Sequence, residues 1–481
     1  MELSILIEGG SRLSDQVYHG IRRAILDGRL AVNDRLPASR DLGRQLNVSR
    51  NTVLAAYERL TSEGYLRSRV GSGTFVDQPF CASGEGKRKA TRKVAARLSG
   101  FGRRLLPPQA IVPRRDLPFD FRPGVPDLKH FPIAAWRRIS ARHSRQLSPS
   151  SAYYGDAAGD ALLREAIAHH FSQSRALHCT ADDIIIVNGS QQALDILARL
   201  LIEPNDTVVV ENPVYPAALA TFRAAGARVI SVPVDNEGLR TDRLPKTAKL
   251  IYVTPSHQFP LGVPLSLSRR RALLQWAEQN RVVVIEDDYD SEFRYGGRPL
   301  DALQGLDSSG CVIYLGTFSK VLFPSLRLGF VVPPPNLYRP FLAAKWITDR
   351  HTETGEQRII SEFVREGHLA RYVRRMQHIY FERQTVLVES LKRHLPMITT
   401  LPAVAGLHLA GFLPHNFPVD KLIARSAATG VGLYSIAPFY ISGARAGLMF
   451  GFGSCQSVDI AEGIVRMSKV SEAITRSSFS R

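Results

Sequence analysis

The chain has 481 residues, 44% of them apolar and 22% charged, so it is long enough for at least two globular domains and is not disordered, collagen-like or a disulfide scaffold. Its four cysteines lie far apart without metal-ligand spacing, which indicates no metal site and favours a reducing cytoplasm. The N-terminus shows no signal-peptide pattern, and the uncharged segment 395–419 contains four prolines, which argues against a membrane helix. We therefore expect a cytoplasmic protein without a membrane partner.

The net charge of +18 is unevenly distributed. Residues 1–79 carry 11 Arg and no Lys against 9 acidic residues, whereas residues 80–118 carry 10 basic and 2 acidic residues. The second segment is also rich in Gly, Ser, Ala and Pro, which predicts a basic flexible linker that attracts polyanions. This linker would separate a domain at 11–79 from one at 119–481. A solvated linker without a specific partner is the alternative.

Three helices and a hairpin are predicted in the first domain. Apolar residues at three- to four-residue spacing predict a helix over 13–26, a shorter helix covers about 40–46, and Ser49 is a suitable N-cap for a third. Alternating residues on both sides of a glycine-rich break at 71–73 then predict two paired strands. This order is that of an α+β winged helix, whose third helix lies in the major groove of DNA.

Four sequence blocks resemble the GntR-type winged helix over roughly residues 11–76, namely LPASRDL from Leu36, NVSRNTV from Asn47, LTSEGYL from Leu60 and GSGTFV from Gly71. The resemblance implies a double-stranded DNA operator as partner. It places the DNA contacts at Arg40, Ser49, Arg50, Thr52, Gly71 and Gly73. The chemistry agrees, because Arg can reach guanine or phosphate, and Ser and Thr at a helix N-terminus can donate to phosphate. Arg40 as an exposed helix charge and Ser49 as a plain N-cap are the alternatives.

From about residue 120, short apolar runs alternate with helix-length segments, which predicts an α/β domain with a mostly parallel central sheet. The predicted strands are 184–187, 207–211, 229–232, 250–253, 282–285 and 312–315. Because such sheets bind ligands beyond the carboxyl ends of their strands, polar residues at those ends are the candidates for a site.

Two predicted strands end in residues that suit a pyridine cofactor. Asp287 and Tyr289 follow one strand, and Ser319 and Lys320 follow the next. A lysine in a confined site can form an imine, and a carboxylate can keep a pyridine nitrogen protonated. Tyr289 would donate to the phenolic oxygen of such a cofactor.

Other residues suit the remainder of the cofactor. Ser190 and Gln191 start a helix after a strand and a glycine turn, and its free N–H groups suit a phosphate. Arg327 adds a guanidinium, and Tyr215 is available to stack on a ring. Tyr215 as a core aromatic and Gln191 as a simple helix start are the alternatives.

Together these segments resemble the fold type I pyridoxal phosphate (PLP) aminotransferases over roughly residues 119–470, and within them the MocR/GabR regulators. The blocks are DFRPGVPDL, YGDAAGD, PSHQFPLG, EDDYDSEFRY and GTFSKVLFPSLRLGF. The resemblance implies PLP as the cofactor, with these roles: Lys320 as Schiff-base lysine, Asp287 on the pyridine nitrogen, Tyr289 on the phenolic oxygen, Tyr215 stacking, Ser190, Gln191 and Arg327 on the phosphate, and Ser319 beside the lysine.

The resemblance is incomplete at two positions, Phe259 and Arg445. Phe259 stands where aminotransferases usually place an asparagine, so an amide contact would have to come from Gln258 or His257. Arg445 lies near the usual carboxylate-binding arginine but is equally explained as a surface charge. In the homodimer that the resemblance implies, Tyr154 would reach the cofactor of the partner subunit. Arg445 and Tyr154 are therefore the candidate effector-binding residues.

The sequence thus predicts a nucleoid-associated transcriptional regulator. Its winged helix would hold an operator, and its aminotransferase-like domain would sense PLP, an amine or an amino acid through aldimine chemistry. Two alternatives stay open, a working aminotransferase that carries a DNA-binding module and a regulator whose large domain is a cofactor-free dimerisation scaffold.

Overall fold

The computed structural model describes residues 5, 12–69, 71–77, 97–105, 117–146, 153–295, 300–402 and 404–479. The chain forms two compact units, Met1–Arg97 and Leu98–Arg481.

The first unit is a three-helix winged helix. Its elements are α1 (Leu13–Leu26), α2 (Ser39–Gln45), α3 (Arg50–Ser62), β1 (Leu66–Arg69) and β2 (Gly73–Val76). Helix α1 buries Val17, Ile21 and Ile25, which recur at helical spacing and join one apolar core with residues of α3 and the hairpin. Strands β1 and β2 pair antiparallel. The winged-helix prediction is confirmed.

The second unit contains most of the chain. Its helices are α4 (Gly100–Arg104), α5 (Ile133–Arg145), α6 (Ala161–Arg175), α7 (Ser190–Leu201), α8 (Pro216–Ala225), α9 (Leu267–Asn280), α10 (Leu303–Leu306), α11 (Pro335–Asp349), α12 (Thr354–Arg365), α13 (His368–His394), α14 (Val419–Ala428) and α15 (Ser457–Phe479). Its strands are β3 (Phe119–Asp120), β4 (Ile185–Val187), β5 (Thr207–Asn212), β6 (Arg228–Asp235), β7 (Gly238–Leu239), β8 (Leu250–Val253), β9 (Val283–Asp288), β10 (Val312–Thr317), β11 (Gly329–Val332), β12 (Thr399–Thr400), β13 (His408–Phe412), β14 (Val431–Gly432), β15 (Tyr434–Ser435) and β16 (Gly447–Gly451).

An eight-stranded sheet forms the centre of this unit, in the order β4-β11-β10-β9-β8-β5-β6-β7. Strands β10, β9, β8, β5 and β6 run parallel, while β11 is antiparallel to both of its neighbours. The six predicted strands are all present, and the mostly parallel sheet is confirmed. Because β5, β8, β9 and β10 share a direction, their carboxyl ends meet at one edge of the sheet.

The C-terminal part adds a smaller antiparallel sheet, in the order β12-β13-β16-β15. The uncharged segment 395–419 supplies β12 and the fully buried strand β13, so it is core strand and loop as predicted. None of the helices in the described part of the chain combines the length and apolar character needed to cross a membrane.

Part of the segment predicted as a linker, 80–118, is structured. Helix α4 belongs to the second unit and packs against α8. Arg104 Nε donates to the carbonyl oxygen of Ala224 at 2.9 Å, so the guanidinium satisfies a carbonyl near the C-terminus of α8. Residues 78–96, which carry the basic cluster, and 106–116 lie outside the described residues.

Candidate functional site

A cavity of about 270 Å³ lies at the carboxyl ends of the parallel strands. Eight of the predicted site residues line it, namely Ser190, Gln191, Tyr215, Asp287, Tyr289, Ser319, Lys320 and Arg327. A larger open groove, of about 940 Å³, lies between α5 and α12 and contains none of these eight. The residues that carry distinctive chemistry thus converge in the smaller cavity.

Lys320 follows β10 and has its amine inside this cavity. Its Nζ donates to the carbonyl oxygen of Gly124 at 3.1 Å. Burial lowers the pKa of Lys320, and the positive charge of Arg327 acts in the same direction, whereas Asp290 and Asp287 oppose it. A larger share of the amine is therefore neutral and nucleophilic than on a solvent-exposed lysine.

Asp287 lies on β9, whose side chains alternate between the two faces of the sheet. Its Oδ2 accepts a hydrogen bond from the Tyr252 hydroxyl at 2.7 Å, whereas its buried Oδ1 has no partner among the described residues. Burial raises the pKa of Asp287 to about 6. The neighbouring Asp288 is directed differently, to an ion pair with Arg175 at 2.8 Å. Asp287 is therefore the carboxylate that the cavity leaves free to accept a hydrogen bond.

Arg327 and the start of α7 form one end of the cavity. Gly189 precedes α7 with φ 81° and ψ 165°, a conformation close to glycine-only. Arg327 Nη2 donates to the carbonyl oxygen of Asn188 at 3.1 Å, so the guanidinium lies against this turn. Arg327 itself has φ 51°, a left-handed backbone conformation. A cation beside the free N–H groups of a helix N-terminus is suited to an anion such as phosphate.

Ser319, Gln191 and Tyr215 are further predicted residues in the cavity wall, and the first two each have a buried atom without a partner in the described chain. Ser319 Oγ and Gln191 Oε1 are buried without a hydrogen-bond partner in the described chain, although Gln191 Nε2 donates to Thr221 at 2.8 Å. The Tyr215 ring meets Phe259 edge to face, with 5.6 Å between ring centroids. Tyr215 therefore has an aromatic neighbour as well as a place in the cavity wall.

The Tyr289 hydroxyl lies 3.0 Å from His257 Nδ1. The same nitrogen lies 3.0 and 3.1 Å from the two carboxylate oxygens of Asp290. The Gln258 amide donates to the carbonyl oxygens of Pro213 and Phe259, so it is engaged with backbone and does not line the cavity. Neither proposed substitute for the missing asparagine therefore supplies an amide at this cavity.

The sequence predicted no metal site, yet His257, Asp290 and His408 bring potential ligand atoms within 4.8 Å of one another. The carboxylate stands at hydrogen-bond distance from Nδ1 of His257. Nε2 of His257 and Nδ1 of His408 are buried without a hydrogen-bond partner among the described residues.

Arg445 and Tyr154 lie away from the cavity. Arg445 lines a different cavity, and its guanidinium carbon lies 3.7 Å from the centroid of the Phe412 ring. Tyr154 is 78% exposed and lies near the Arg350 guanidinium. Its predicted contact is with the cofactor of a partner subunit, and the effector roles of both residues stay predictions.

The cavity residues that sequence reasoning missed include Gly124, Tyr252, Thr254 and His408. Tyr252 points from a strand that reads as a continuous apolar run, so its hydroxyl gave no polar signal. Gly124 has φ 70°, and a Cβ there would lie 3.0 Å from Lys320 Nζ. The glycine in DFRPGVPDL was the available signal, since it allows the backbone to approach the lysine closely.

The predicted DNA contacts lie on α2, α3 and the wing. Arg40, Ser49 and Arg50 are exposed, and Thr52 is partly buried. Ser49 is the N-cap of α3, because its Oγ accepts from the backbone N–H of Thr52 at 3.1 Å. Arg50 Nε donates to Ser39 Oγ at 3.4 Å, which connects the first turns of α2 and α3. The N-terminus of α3 thus presents a guanidinium and hydroxyls to solvent.

The wing turn depends on glycine. Gly71 and Gly73 have φ of 76° and 111°, and nothing lies within 4 Å of a Cβ built on Gly71. A Cβ on Gly73 would lie 3.0 Å from Arg35 Nε, so the guanidinium passes close to the wing backbone.

Known protein families match both units. Residues 13–76 match the family described as bacterial regulatory proteins, gntR family, and residues 121–441 match aminotransferase class I and II. The chain is 38% identical to the probable rhizopine catabolism regulatory protein MocR of Rhizobium meliloti, over 93% of this chain and 92% of that relative. The chain belongs to the MocR-type transcriptional regulators.

Two other similarities accord with membership of the MocR-type regulators. The HTH-type pyridoxine biosynthesis transcriptional regulator PdxR of Corynebacterium glutamicum is 33% identical over 91% of each chain. A crystal structure of Pyrococcus horikoshii kynurenine aminotransferase in complex with PMP has a TM-score of 0.70 and 30% identity, covering 74% of this chain and 91% of that one. This MocR-type chain is thus a DNA-binding regulator with an aminotransferase-like domain of fold type I.

Proposed function

We propose that this regulator binds PLP covalently through Lys320 and that PLP, an amine or an amino acid acting at this cavity changes its affinity for an operator. The observation that carries the proposal is the convergence of Lys320 Nζ, the unpartnered Oδ1 of Asp287 and the Arg327 guanidinium on one cavity. Operator binding would place the protein at the nucleoid.

PLP fits the residues present. Asp287 Oδ1 is buried without a partner in the described chain, and a protonated pyridine nitrogen would supply the hydrogen bond it lacks. Arg327, Ser190 and the free N–H groups at the start of α7 would hold the phosphate, and Ser319 Oγ would add a donor. Tyr215 would stack against the ring. When bound, the cofactor would supply an electrophilic carbon and an electron-withdrawing ring.

The protein's own residues would then divide the work. Asp287 would keep the ring nitrogen protonated. Burial makes the negative charge of the Asp287 carboxylate unfavourable unless a protonated nitrogen lies beside it. Lys320 would hold the cofactor covalently, and its lowered pKa favours the neutral amine that this bond requires. The carbonyl oxygen of Gly124 would orient the lysine amine, and the absence of a side chain at Gly124 allows this close approach.

An absorption spectrum of the purified protein, followed by borohydride reduction and peptide mapping, tests the proposal. We expect a visible band and a cofactor fixed to Lys320. Lys345 is an internal control, because it is also buried but is ion-paired with Asp349 at 2.9 Å. A colourless protein that also fails to take up added PLP, or cofactor fixed at Lys345, would contradict the proposal.

A further inference from the structure

The imidazole of His257 lies between a hydroxyl that lines the cavity and a buried carboxylate that does not. His257 Nδ1 is 3.0 Å from the Tyr289 hydroxyl oxygen and 3.0 and 3.1 Å from the two Asp290 oxygens. His257 and Asp290 are 1% and 2% exposed, so water cannot easily replace either contact.

Two glycines make room for this imidazole. A Cβ on Gly406 would lie 2.1 Å from His257 Cε1 and 2.5 Å from Asp290 Oδ2, and one on Gly262 would lie 3.0 Å from His257 Nε2. Both glycines have positive φ, 78° and 79°. The His408 ring packs on the same imidazole, with 4.8 Å between centroids. The backbone and a neighbouring ring therefore hold the imidazole in one place.

The contacts of Nδ1 decide where its proton lies. An imidazole nitrogen either carries a proton and donates or has a lone pair and accepts. An ionised carboxylate has no proton to give, so the contact with Asp290 requires a proton on Nδ1. A protonated Nδ1 cannot accept the hydroxyl proton of Tyr289. The hydroxyl proton is then not taken up by His257, and because Tyr289 lines the cavity, a group bound there can accept it.

The hydrogen bond that Tyr289 would donate is especially important in this chain because Phe259 cannot donate one. Its ring centroid lies 5.9 Å from that of Tyr289, in the position where an amide donor is usual, and it offers no donor of its own. Gln258 donates to backbone instead. Tyr289 is therefore the side chain on which hydrogen bonding to a phenolic oxygen in the cavity would depend.

We propose that Asp290 and His257 are positioning residues that keep the Tyr289 hydroxyl proton directed at the phenolic oxygen of bound PLP. This inference rests on the proposed function. Removing the Asp290 acceptor would let His257 Nδ1 lose its proton and accept the hydrogen bond of Tyr289, which would turn the hydroxyl away from the cavity.

The pH dependence of the visible band reports the direction of the Tyr289 hydroxyl proton. The band changes when the nitrogen that joins Lys320 to the cofactor loses its proton. A hydrogen bond from Tyr289 stabilises the negative phenolic oxygen that remains, so it lowers the midpoint of the change. The negative charge of Asp290, considered alone, has the opposite effect and raises the midpoint. The charged groups facing Lys320 and Tyr289 are Asp290, Asp287, Arg327, Arg122, Glu211 and Asp288. Removing the negative charge of Asp290 alone would destabilise the protonated form and lower the midpoint.

The experiment is a spectrophotometric pH titration of the cofactor-loaded full chain, with Asp290→Leu, Asp290→Asn and Tyr289→Phe compared with the unsubstituted protein. Asp290→Leu removes charge and acceptor, and we expect its midpoint to rise by about one pH unit, as for loss of one hydrogen bond, in the direction of Tyr289→Phe. Asp290→Asn removes the charge but keeps a carbonyl acceptor for Nδ1–H, so its midpoint should stay or fall. In the double variant His257→Phe/Asp290→Leu, no imidazole competes for the hydroxyl proton, so the rise should disappear.

A fall or no change for Asp290→Leu, or a rise that persists in the double variant, would overturn the inference while leaving the colour of the unsubstituted protein intact. A colourless unsubstituted protein would contradict the proposed function instead. If Asp290→Leu does not fold, nitrogen-15 NMR of histidine-labelled protein gives the answer directly, with His257 assigned by its absence from His257→Gln. Protonation at Nδ1 supports the inference, and an unprotonated Nδ1 overturns it.

Discussion

A Cβ on Gly189 would lie 2.9 Å from Nη2 of Arg327. The guanidinium and the turn before α7 therefore fit together because residue 189 has no side chain. Gly189 also has φ 81° and ψ 165°, where other residues are strained. Both effects fall on the end of the cavity that we assign to the phosphate.

Gly189→Ala should therefore displace Arg327 and weaken PLP binding. We expect the dissociation constant to rise by about fivefold to 150-fold, since a loss of about 1–3 kcal/mol corresponds to that range. Titration of the apoprotein with PLP, followed by the visible band, measures the effect. Gly310→Ala is the matched control, because Gly310 also has positive φ, 67°, but nothing lies within 4 Å of its Cβ. Equal weakening in both variants would show that general strain, not Arg327, is responsible.

Asp287→Asn should stabilise the large unit of the apoprotein at neutral pH while weakening PLP binding. The folded carboxyl keeps its proton up to about pH 6, whereas an unfolded one loses it near pH 3.8. The folded state thus binds more protons in this interval, and its stability falls as the pH rises through it. Asparagine avoids that loss and can still accept from Tyr252. The gain should be about 1–3 kcal/mol at pH 7–8 and shrink toward pH 4.

Tryptophan fluorescence during urea unfolding measures this gain. Trp136, Trp276 and Trp346 are the three tryptophans of the chain, and all lie in the second unit, so the signal reports on that unit. A stability difference that did not vary between pH 4 and pH 8 would contradict the assignment of a raised pKa to Asp287.

Periodicity identified the elements but not where the cavity residues would sit. Helix α1 covers the predicted residues 13–26, because one apolar face of a helix leaves a clear pattern. Strand β9 was predicted to end at 285 but continues to Asp288, because Asp288 stays in the parallel ladder opposite Gly316. A pattern of apolar residues gives no information about the backbone hydrogen bonds of a polar residue, so the sequence did not predict the end of this strand.

Non-local contacts were also beyond sequence reasoning. The short strand β11 was not predicted, and its antiparallel insertion between β10 and β4 is what brings Arg327 to the turn at Asn188. Likewise His257 and Asp290 lie 33 positions apart, and their hydrogen bond depends on β8 and β9 being neighbours. Residue types and motif spacing predicted which groups share the cavity, but not which atoms they leave free.

Ser49 combines a capping role with a predicted DNA contact, and substitutions can separate the two. Ser49→Ala removes the acceptor for the Thr52 N–H and should destabilise the winged helix by about 1 kcal/mol. Ser49→Asp restores a cap but places a negative charge near DNA phosphates, so it should fold well and bind DNA poorly. Ser49→Asn restores the cap without charge and is the control. Circular dichroism and fluorescence anisotropy with labelled DNA provide the measurements. Unchanged DNA affinity in Ser49→Asp would leave Ser49 as an N-cap alone.

Arg50→Ala should weaken specific DNA binding by about 1–3 kcal/mol if the guanidinium reads a base. The exposed Arg23 on α1 provides a control with the same change of charge, and Arg23→Ala should lower the affinity much less. Affinities measured on operator and on unrelated duplex separate base reading from phosphate contact. Equal losses on both sequences would assign Arg50 to the DNA backbone.

The basic residues of the predicted linker should act through salt dependence. Neutralising Lys87, Arg88, Lys89, Arg92 and Lys93, which lie outside the described residues, should weaken binding to any sequence. The dependence of affinity on salt should also become flatter, because phosphate contacts act by releasing counterions. An unchanged salt slope would return this segment to the role of a solvated linker.

Sensing requires a ligand that favours one state of the large unit over another, since a ligand with equal affinity for both shifts nothing. An amine that takes the place of Lys320 on the cofactor would free a lysine within a buried cavity and change its charge. We expect that PLP itself, an amine or an amino acid changes operator affinity by about fivefold or more, a usual range for coupling between sites. Lys320→Ala in the full chain should lose the amine response yet still bind the operator, because the predicted DNA contacts lie in the other unit. Fluorescence anisotropy with operator selected from random duplex DNA, repeated with and without PLP and a panel of amines, measures both properties. Fast transamination of a common amino acid, together with operator affinity indifferent to PLP and amines, would instead support an enzyme that carries a DNA-binding module.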